Sequence, residues 1–563
     1  MKVIIVGGVA GGATAAARIR RLDEHAEITV YERSGYISYA NCGLPYYIGD
    51  VITDPEELTL QTPESFFKRF RINMKIHHEV ISIHPECKTV SVKNLENSEI
   101  FEENYDKLIL SPGAKPTQPR LPGVGIDKIF TLRTVEDTFR IKEYINKNHP
   151  KSAVLAGGGF IGLELAENLR ELGMDVTIVQ RPKQLMNPFD PDMASMIHNE
   201  MRKHGIKLVL GYTVEGFKEK DNGVEVLLKD NPSLQADMVV LAIGVTPDTV
   251  LAKEAGLELG IKESIVVNDR METSVPDIYA AGDAVQVKHY VTGNDALISL
   301  AGPANKQGRI IADNICGGDS RYLGSQGSSV IKVFDMTAAT TGINETNAKK
   351  SGLDVDTVIL SPMSHAGYYP GGKVMTMKVV FEKETYRLLG AQIIGYEGVD
   401  KRIDVLATAI HAGLKATQLK DLDLAYAPPY SSAKDPVNMA GFMIDNIAKG
   451  TLKQWHLEDM DKISKDKSVV LLDVRTVGEF NRGHMDGFRN IPVDELRERI
   501  NEIEKGKPVY LICQSGLRSY IASRILEGNG YETYNFSGGF RFYDAVVNDR
   551  ALIERAYACG MDY

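Results

Sequence analysis

The chain is poor in cysteine. Five in 563 residues are too few for a disulfide framework, which points to a reducing compartment, the cytoplasm. It also lacks an excess of positive charge: a net charge of −10 argues against a nucleic-acid or acidic-membrane partner. No apolar run approaches twenty residues, so no membrane span is expected. The apolar stretch after Lys2 is broken by Gly7, Gly8, Gly11 and Gly12 and followed by Arg18, Arg20 and Arg21. That pattern fits a buried first strand and its helix, not a signal peptide. No low-complexity tract, short-period repeat or metal site is expected. The remaining composition, 43% hydrophobic and 25% charged, is that of a soluble globular protein with room for three or four domains.

Val3-Ile4-Ile5-Val6 reads as a parallel strand buried on both faces. A glycine turn (Gly7, Gly8, Gly11, Gly12) and a helix follow, then a second strand ending at Glu32. The plan recurs at Ala153–Ala156, with Gly157, Gly159 and Gly162 completing G-x-G-x-x-G and a strand running to Gln180. Glycines there permit the tight turn and let a pyrophosphate rest on helix N–H groups. In the first copy Val9 stands where the middle glycine belongs, while Glu32 supplies a carboxylate for ribose hydroxyls. Two such units imply two dinucleotides. At the second ribose position Gln180 is neutral, and Arg181 and Lys183 follow. A 2′-phosphate is tolerable there, so NADH and NADPH both stay open.

Cys42 lies ten residues past Glu32, in Ser38-Tyr39-Ala40-Asn41-Cys42-Gly43. Position 47, five residues on, is Tyr47 and not a second cysteine. A lone cysteine beside a flavin passes electrons only to a sulfur or oxygen from outside. Near the C-terminus, Cys513-Gln514-Ser515-Gly516-Leu517-Arg518-Ser519 follows the strand candidate 509–513 and should open a helix. Successive N–H groups in such a loop form an anion nest and favour the thiolate.

Thr273–Asp283 and the segments Ser111–Ala114 and Ala242–Pro247 resemble the two-dinucleotide-domain disulfide reductases over residues 1 to about 445. The resemblance implies FAD, with Asp283 on its ribityl chain and Ala114 and Glu164 among the cofactor-binding residues. The single cysteine separates the chain from the glutathione-reductase type. Ala10 stands where the peroxide- and oxygen-reducing relatives place a histidine. The wording around Cys42, and Tyr426-Ala427-Pro428-Pro429-Tyr430-Ser431-Ser432-Ala433-Lys434-Asp435, resemble the coenzyme A disulfide reductases. That resemblance implies that Thr14, Arg18, Arg21, Ser38, Asn41 and Lys434 bind coenzyme A. It further implies a homodimer in which Tyr368 and Tyr426 reach the partner's cysteine. Arg18 and Arg21, at i and i+3, share a helix face that suits phosphates.

The C-terminal segment resembles the rhodanese domains, through Cys513–Ser519 with Asp473-Val474-Arg475, Glu479-Phe480 and Gly483-His484. Arg518 closes a loop one residue shorter than that of related phosphatases, a ring suited to sulfur. Cys513 and Arg518 are therefore candidate catalytic residues beside Cys42, Tyr368 and Tyr426. Cys87 and Cys316 read as packing residues or as incidental, and Cys559 as a candidate reactive thiol.

The expected fold class is α/β: two Rossmann-like dinucleotide-binding domains, an α+β dimerisation domain and a C-terminal rhodanese-like domain. The expected boundaries are 1–112 with 245–324 for FAD, 113–244 for NAD(P), 325–445 for dimerisation, 446–460 as a linker and 461–563 for the rhodanese part. The expected activity is flavin-dependent NAD(P)H reduction of coenzyme A disulfide, coenzyme A persulfide or polysulfide. Two alternatives stand beside it: an NAD(P)H oxidase or peroxidase cycling a cysteine sulfenic acid, and a non-enzymatic sulfur-carrier or redox-signalling protein.

Overall fold

The computed structural model describes residues 1–220 and 223–558, with side chains through Arg555; Cys559 lies outside the described residues. The chain divides into two compact units, residues 1–182 with 205–327, and residues 183–204 with 328–563.

The first unit holds two parallel five-stranded sheets. In one, β1 (Lys2–Val6) leads through α1 (Ala10–Leu22) to β2 (Glu27–Tyr31). β1 sits at the centre, pairing with β2 and with the strand Lys107–Leu110. Its interior residues Val3, Ile4 and Ile5 are fully buried, as a strand covered by helices on both faces requires. The chain then forms α2 (Leu44–Ile48), the short helix that follows Cys42. In the second sheet, β3 (Ser152–Ala156), α3 (Phe160–Glu171) and β4 (Asp175–Gln180) repeat the unit, with β3 central between β4 and Met238–Leu241. The first unit also carries two antiparallel three-stranded sheets, one of His78–His84, Thr89–Asn94 and Ile100–Asn104, the other of Val214–Lys220, Gly223–Leu228 and Asn231–Ala236. The chain around Ala114–Pro116 and that around Val245–Pro247 meet as a two-stranded ribbon, Ala114 opposite Pro247.

Helix α4 (Pro191–Lys203), expected in the nucleotide domain 113–244, groups instead with the second unit. Its buried polar groups show why. Within that unit His198 Nδ1 bonds Asp549 at 2.8 Å, Arg202 pairs with the same carboxylate at 2.5 Å, and Lys378 Nζ reaches Asp190 (3.2 Å) and Asp192 (2.8 Å). Buried charges are held where their partners are, and these partners all lie C-terminal to residue 328.

The second unit contains a five-stranded antiparallel sheet, in the order 329–333, 336–342, 388–395, 375–382, 355–360. α5 (Val399–His411) and α6 (Pro436–Ala448) pack on it. The last domain is a five-stranded parallel sheet whose central strand Val509–Ile512 feeds the cysteine loop and α7 (Leu517–Glu527); α8 (Gly539–Ala558) ends the described chain. The expected linker 446–460 is corrected here. Residues through Ala448 continue α6, and Gln454–Trp455 form the edge strand beside Thr533–Phe536. Trp455, 2% exposed, stacks on Phe488 and packs at a tilt against Phe536 in the core. Burying a tryptophan supplies far more than a two-residue strand costs to order.

Candidate functional sites

The two glycine loops superimpose in chemistry. A side chain at Gly7 (φ 97°) would place its Cβ 2.1 Å from Ser111 O, and one at Gly157 (φ 119°) 2.2 Å from Ala242 O. Gly12 and Gly162 likewise stand 1.9 and 2.1 Å, as Cβ, from the carbonyls of Gly7 and Gly157. These four positions need glycine for the turn itself. Gly159 differs: a Cβ there meets nothing within 4 Å, so the fold does not demand glycine, and Val9 fits the first copy. Glu32 Oε2 accepts from Gly8 N–H at 2.9 Å; Gln180 Oε1 accepts from Gly158 N–H at 3.0 Å. Carboxylate and carboxamide thus occupy equivalent places at the ends of β2 and β4.

Cys42 lies on a short turn, Asn41–Gly43, capping the start of α2. It is exposed and free, and the loop before it is tied to the glycine turn by Ser38 N–H to Gly8 O at 2.9 Å. Partial burial of its thiol raises its pKa, the carboxylates of Glu164 and Asp283 raise it further, and Arg133 opposes them. Arg133 was missed in the sequence. Its Nη2 donates to Asp283 Oδ2 at 2.5 Å and its Nε to Ala114 O at 3.1 Å, so it joins two expected cofactor residues. Glu164, on α3, has its carboxyl raised to about 7, by burial and then by Glu167, against a hydrogen bond from Tyr46. Arg133→Ala removes the cation that opposes the raised pKa of Cys42 and takes away the partner of Asp283. Both changes disfavour the thiolate. Alkylation of Cys42 in the full-length protein at neutral pH is expected to slow by roughly threefold, read as rate against pH.

The proposed coenzyme A residues are divided. Arg18 Nε is already paired with Asp313 Oδ1 at 2.8 Å, and Thr14 Oγ1 donates to Asn305 Oδ1 at 2.5 Å, both across to the helix Ala301–Ile315. Arg21 is exposed on the last turn of α1. The shared basic face therefore presents one free guanidinium and one that is partly neutralised.

In the second unit Tyr368 and Tyr426 share a hydroxyl–hydroxyl bond of 2.6 Å, and both are exposed, 76% and 45%. That bond raises the pKa of Tyr426. Their two loops are locked by Ala366 N–H to Ser431 O (3.0 Å) and by the buried Arg402, whose Nη2 donates to Ser364 O, Tyr430 O and Asp435. A cavity of 390 Å³ opens beside Tyr426, with His365, Glu397 and Lys401 in its wall. Lys434 is exposed next to this hub.

The last domain places Cys513 at 1% exposure. Its Sγ accepts from Gly516 N–H (3.1 Å) and Ser519 Oγ–H (3.2 Å), at the N-terminus of α7. Arg518 is not free: both its terminal nitrogens reach Glu479, at 2.7 Å each. Glu479, a sequence landmark without an assigned role, is thereby held down to about 2. Among the described residues no cluster suits a metal ion, and no helix is long and apolar enough to cross a membrane.

Three family models match successive parts of the chain. Residues 1–308 match the pyridine nucleotide-disulphide oxidoreductase model, 328–436 its dimerisation domain and 456–545 the rhodanese-like domain. A coenzyme A disulfide reductase of Staphylococcus aureus strain JH9 is 38% identical over 442 residues, 78% of this chain and 99% of that protein. The structure of reduced Bacillus anthracis CoADR-RHD aligns with a TM-score of 0.95 at 48% identity, covering 98% of each chain. A NAD-dependent persulfide reductase from A. fulgidus aligns with a TM-score of 0.90 at 38% identity, over 96% of this chain and 100% of that one.

Proposed function

This chain belongs to the pyridine nucleotide-disulphide oxidoreductase family, and from that premise we propose an FAD-dependent NAD(P)H reductase of coenzyme A disulfide, coenzyme A persulfide or polysulfide. The observation that carries it is Cys42: a free, exposed thiol, without a second cysteine at position 47, on the turn tied to the first glycine loop. The chain's own residues fit two dinucleotides, since both loops clear space beside a helix N-terminus and aim Glu32 or Gln180 at it. A flavin bound at the first loop would supply hydride acceptance from the nicotinamide and reducing equivalents to sulfur.

The residues do the rest. Glu32 and Asp283 hold hydroxyl groups of the first dinucleotide. Arg133 positions Asp283 and favours the Cys42 thiolate. Cys42 attacks one sulfur of the disulfide or persulfide; a mixed disulfide forms as the old sulfur–sulfur bond breaks, and thiolate or hydrosulfide leaves. In a homodimer, Tyr368 and Tyr426 of the partner are the proton donors for that leaving sulfur, a role their paired, exposed phenols support. Arg21, Arg18, Thr14, Ser38, Asn41 and Lys434 bind the coenzyme A moiety. The rhodanese-like module carries sulfane sulfur on Cys513.

A substrate panel that follows nicotinamide oxidation and sulfide release together tests this reading. Turnover with coenzyme A disulfide and sulfide release from the persulfide are expected. Turnover with oxygen or peroxide alone would favour an oxidase. Nucleotide choice has its own test. Gln180→Glu sets a carboxylate where a 2′-phosphate must lie, and is expected to lower kcat/KM for NADPH by about tenfold while sparing NADH.

A further inference from the structure

The Cys513 loop stands in a balanced charge field. Arg518 is engaged by both oxygens of Glu479, and Arg475 by Asp473, with Nη2 to Oδ2 at 2.6 Å. Glu479 is fixed independently: Thr476 donates to its Oε2 from the backbone N–H (2.9 Å) and from Oγ1 (2.8 Å), a capping box on the helix Val477–Arg482. Arg475 also sends Nη1 to Gln514 in the loop (3.4 Å) and lies over the Phe540 ring at 3.9 Å. Arg541 meets the loop through its backbone N–H to Gln514 O. The sulfur itself receives two neutral donors, Gly516 N–H and Ser519 Oγ–H. The two guanidinium groups are each paired with a carboxylate, so the loop holds an anion mainly through neutral donors, the Gly516 N–H and the Ser519 hydroxyl.

We propose that Glu479 makes the Cys513 loop a filter on donor charge, admitting persulfides and polysulfides and rejecting donors whose transferable sulfur is bonded to a dianionic oxyanion centre, of which thiosulfate is the simplest. The inference rests on the proposed sulfane-sulfur role of Cys513. The step itself is a displacement. The Cys513 thiolate attacks the outer sulfur of R–S–SH, the new sulfur–sulfur bond forms as the old one breaks, and R–S⁻ leaves. With thiosulfate the leaving group is sulfite, and its second negative charge meets a loop whose Arg518 is already engaged by Glu479. A persulfide carries at most one charge on its two sulfurs.

The test is persulfide formation on Cys513 of the full-length protein, followed by mass mapping of the peptide that carries Cys513, with cysteine persulfide or thiosulfate as donor and no nicotinamide present. Glu479→Gln frees Arg518 and is expected to raise the thiosulfate rate relative to the persulfide rate by about tenfold or more. Arg518→Gln leaves Glu479 unpaired and is expected to move the same ratio the opposite way, which keeps the test intact if the first variant does not load. An unchanged ratio in the variants that load, or a shift of the same sign in both, would overturn the filter. Failure of the reductase reading would show elsewhere, as absent nicotinamide oxidation, while this ratio could still move.

Discussion

Cys42→Ser is expected to abolish reduction of both coenzyme A disulfide and coenzyme A persulfide, by about a thousandfold or more, while FAD stays bound. The hydroxyl of serine keeps the size of the side chain but is not ionised near neutral pH, so the attack on sulfur is lost. Flavin retention follows from the geometry, because the glycine loop, Glu32, Asp283 and Arg133 keep their mutual bonds without the thiol. Nicotinamide oxidation with each substrate, together with the flavin absorbance, measures both halves. Residual turnover at a tenth of the wild-type rate would contradict the scheme. The other thiols of that unit do not rescue it: Cys87 is exposed in the turn before Thr89–Asn94, and Cys316, whose pKa is raised by burial and by Asp23 and Asp313, ends the helix Ala301–Ile315.

Cys513→Ser is expected to divide the two activities. Sulfur transfer from persulfide should fall by about a hundredfold or more, and coenzyme A disulfide reduction should stay within about twofold of wild type. The sulfur is buried and receives both its donors from its own loop and helix, so its removal acts on that loop. Parallel assays of nicotinamide oxidation with the disulfide and of sulfane-sulfur transfer separate the outcomes. If disulfide reduction collapsed as well, the modules would be obligately coupled.

The features legible in the sequence were those written in short spans. Gly157, Gly159 and Gly162 between a strand and a helix announce a nucleotide loop, and Cys513–Ser519 after a strand announces an anion cradle. What stayed hidden depends on partners far apart in the chain. Arg133 meets Asp283 across 150 positions, and His198 meets Asp549 across 351; no local period marks either pair. Trp455 belongs to a two-residue edge strand, too short for alternation to show, so its stretch read as a linker. Arg18 and Arg21 illustrate a different limit. Their i, i+3 spacing was readable, but the Asp313 that occupies Arg18 comes from another helix. Glu479 was visible as part of a motif, while its grip on Arg518 required the fold to bring residues 479 and 518 together.

The account turns on which partner Cys42 takes. Peptide mass mapping of the full-length protein after exposure to coenzyme A disulfide, without reductant, reads that directly. The expected product is one coenzyme A per chain, on the peptide carrying Cys42, released on adding NADH or NADPH. An unmodified Cys42, or a Cys42 joined to another cysteine of the same chain, would contradict it.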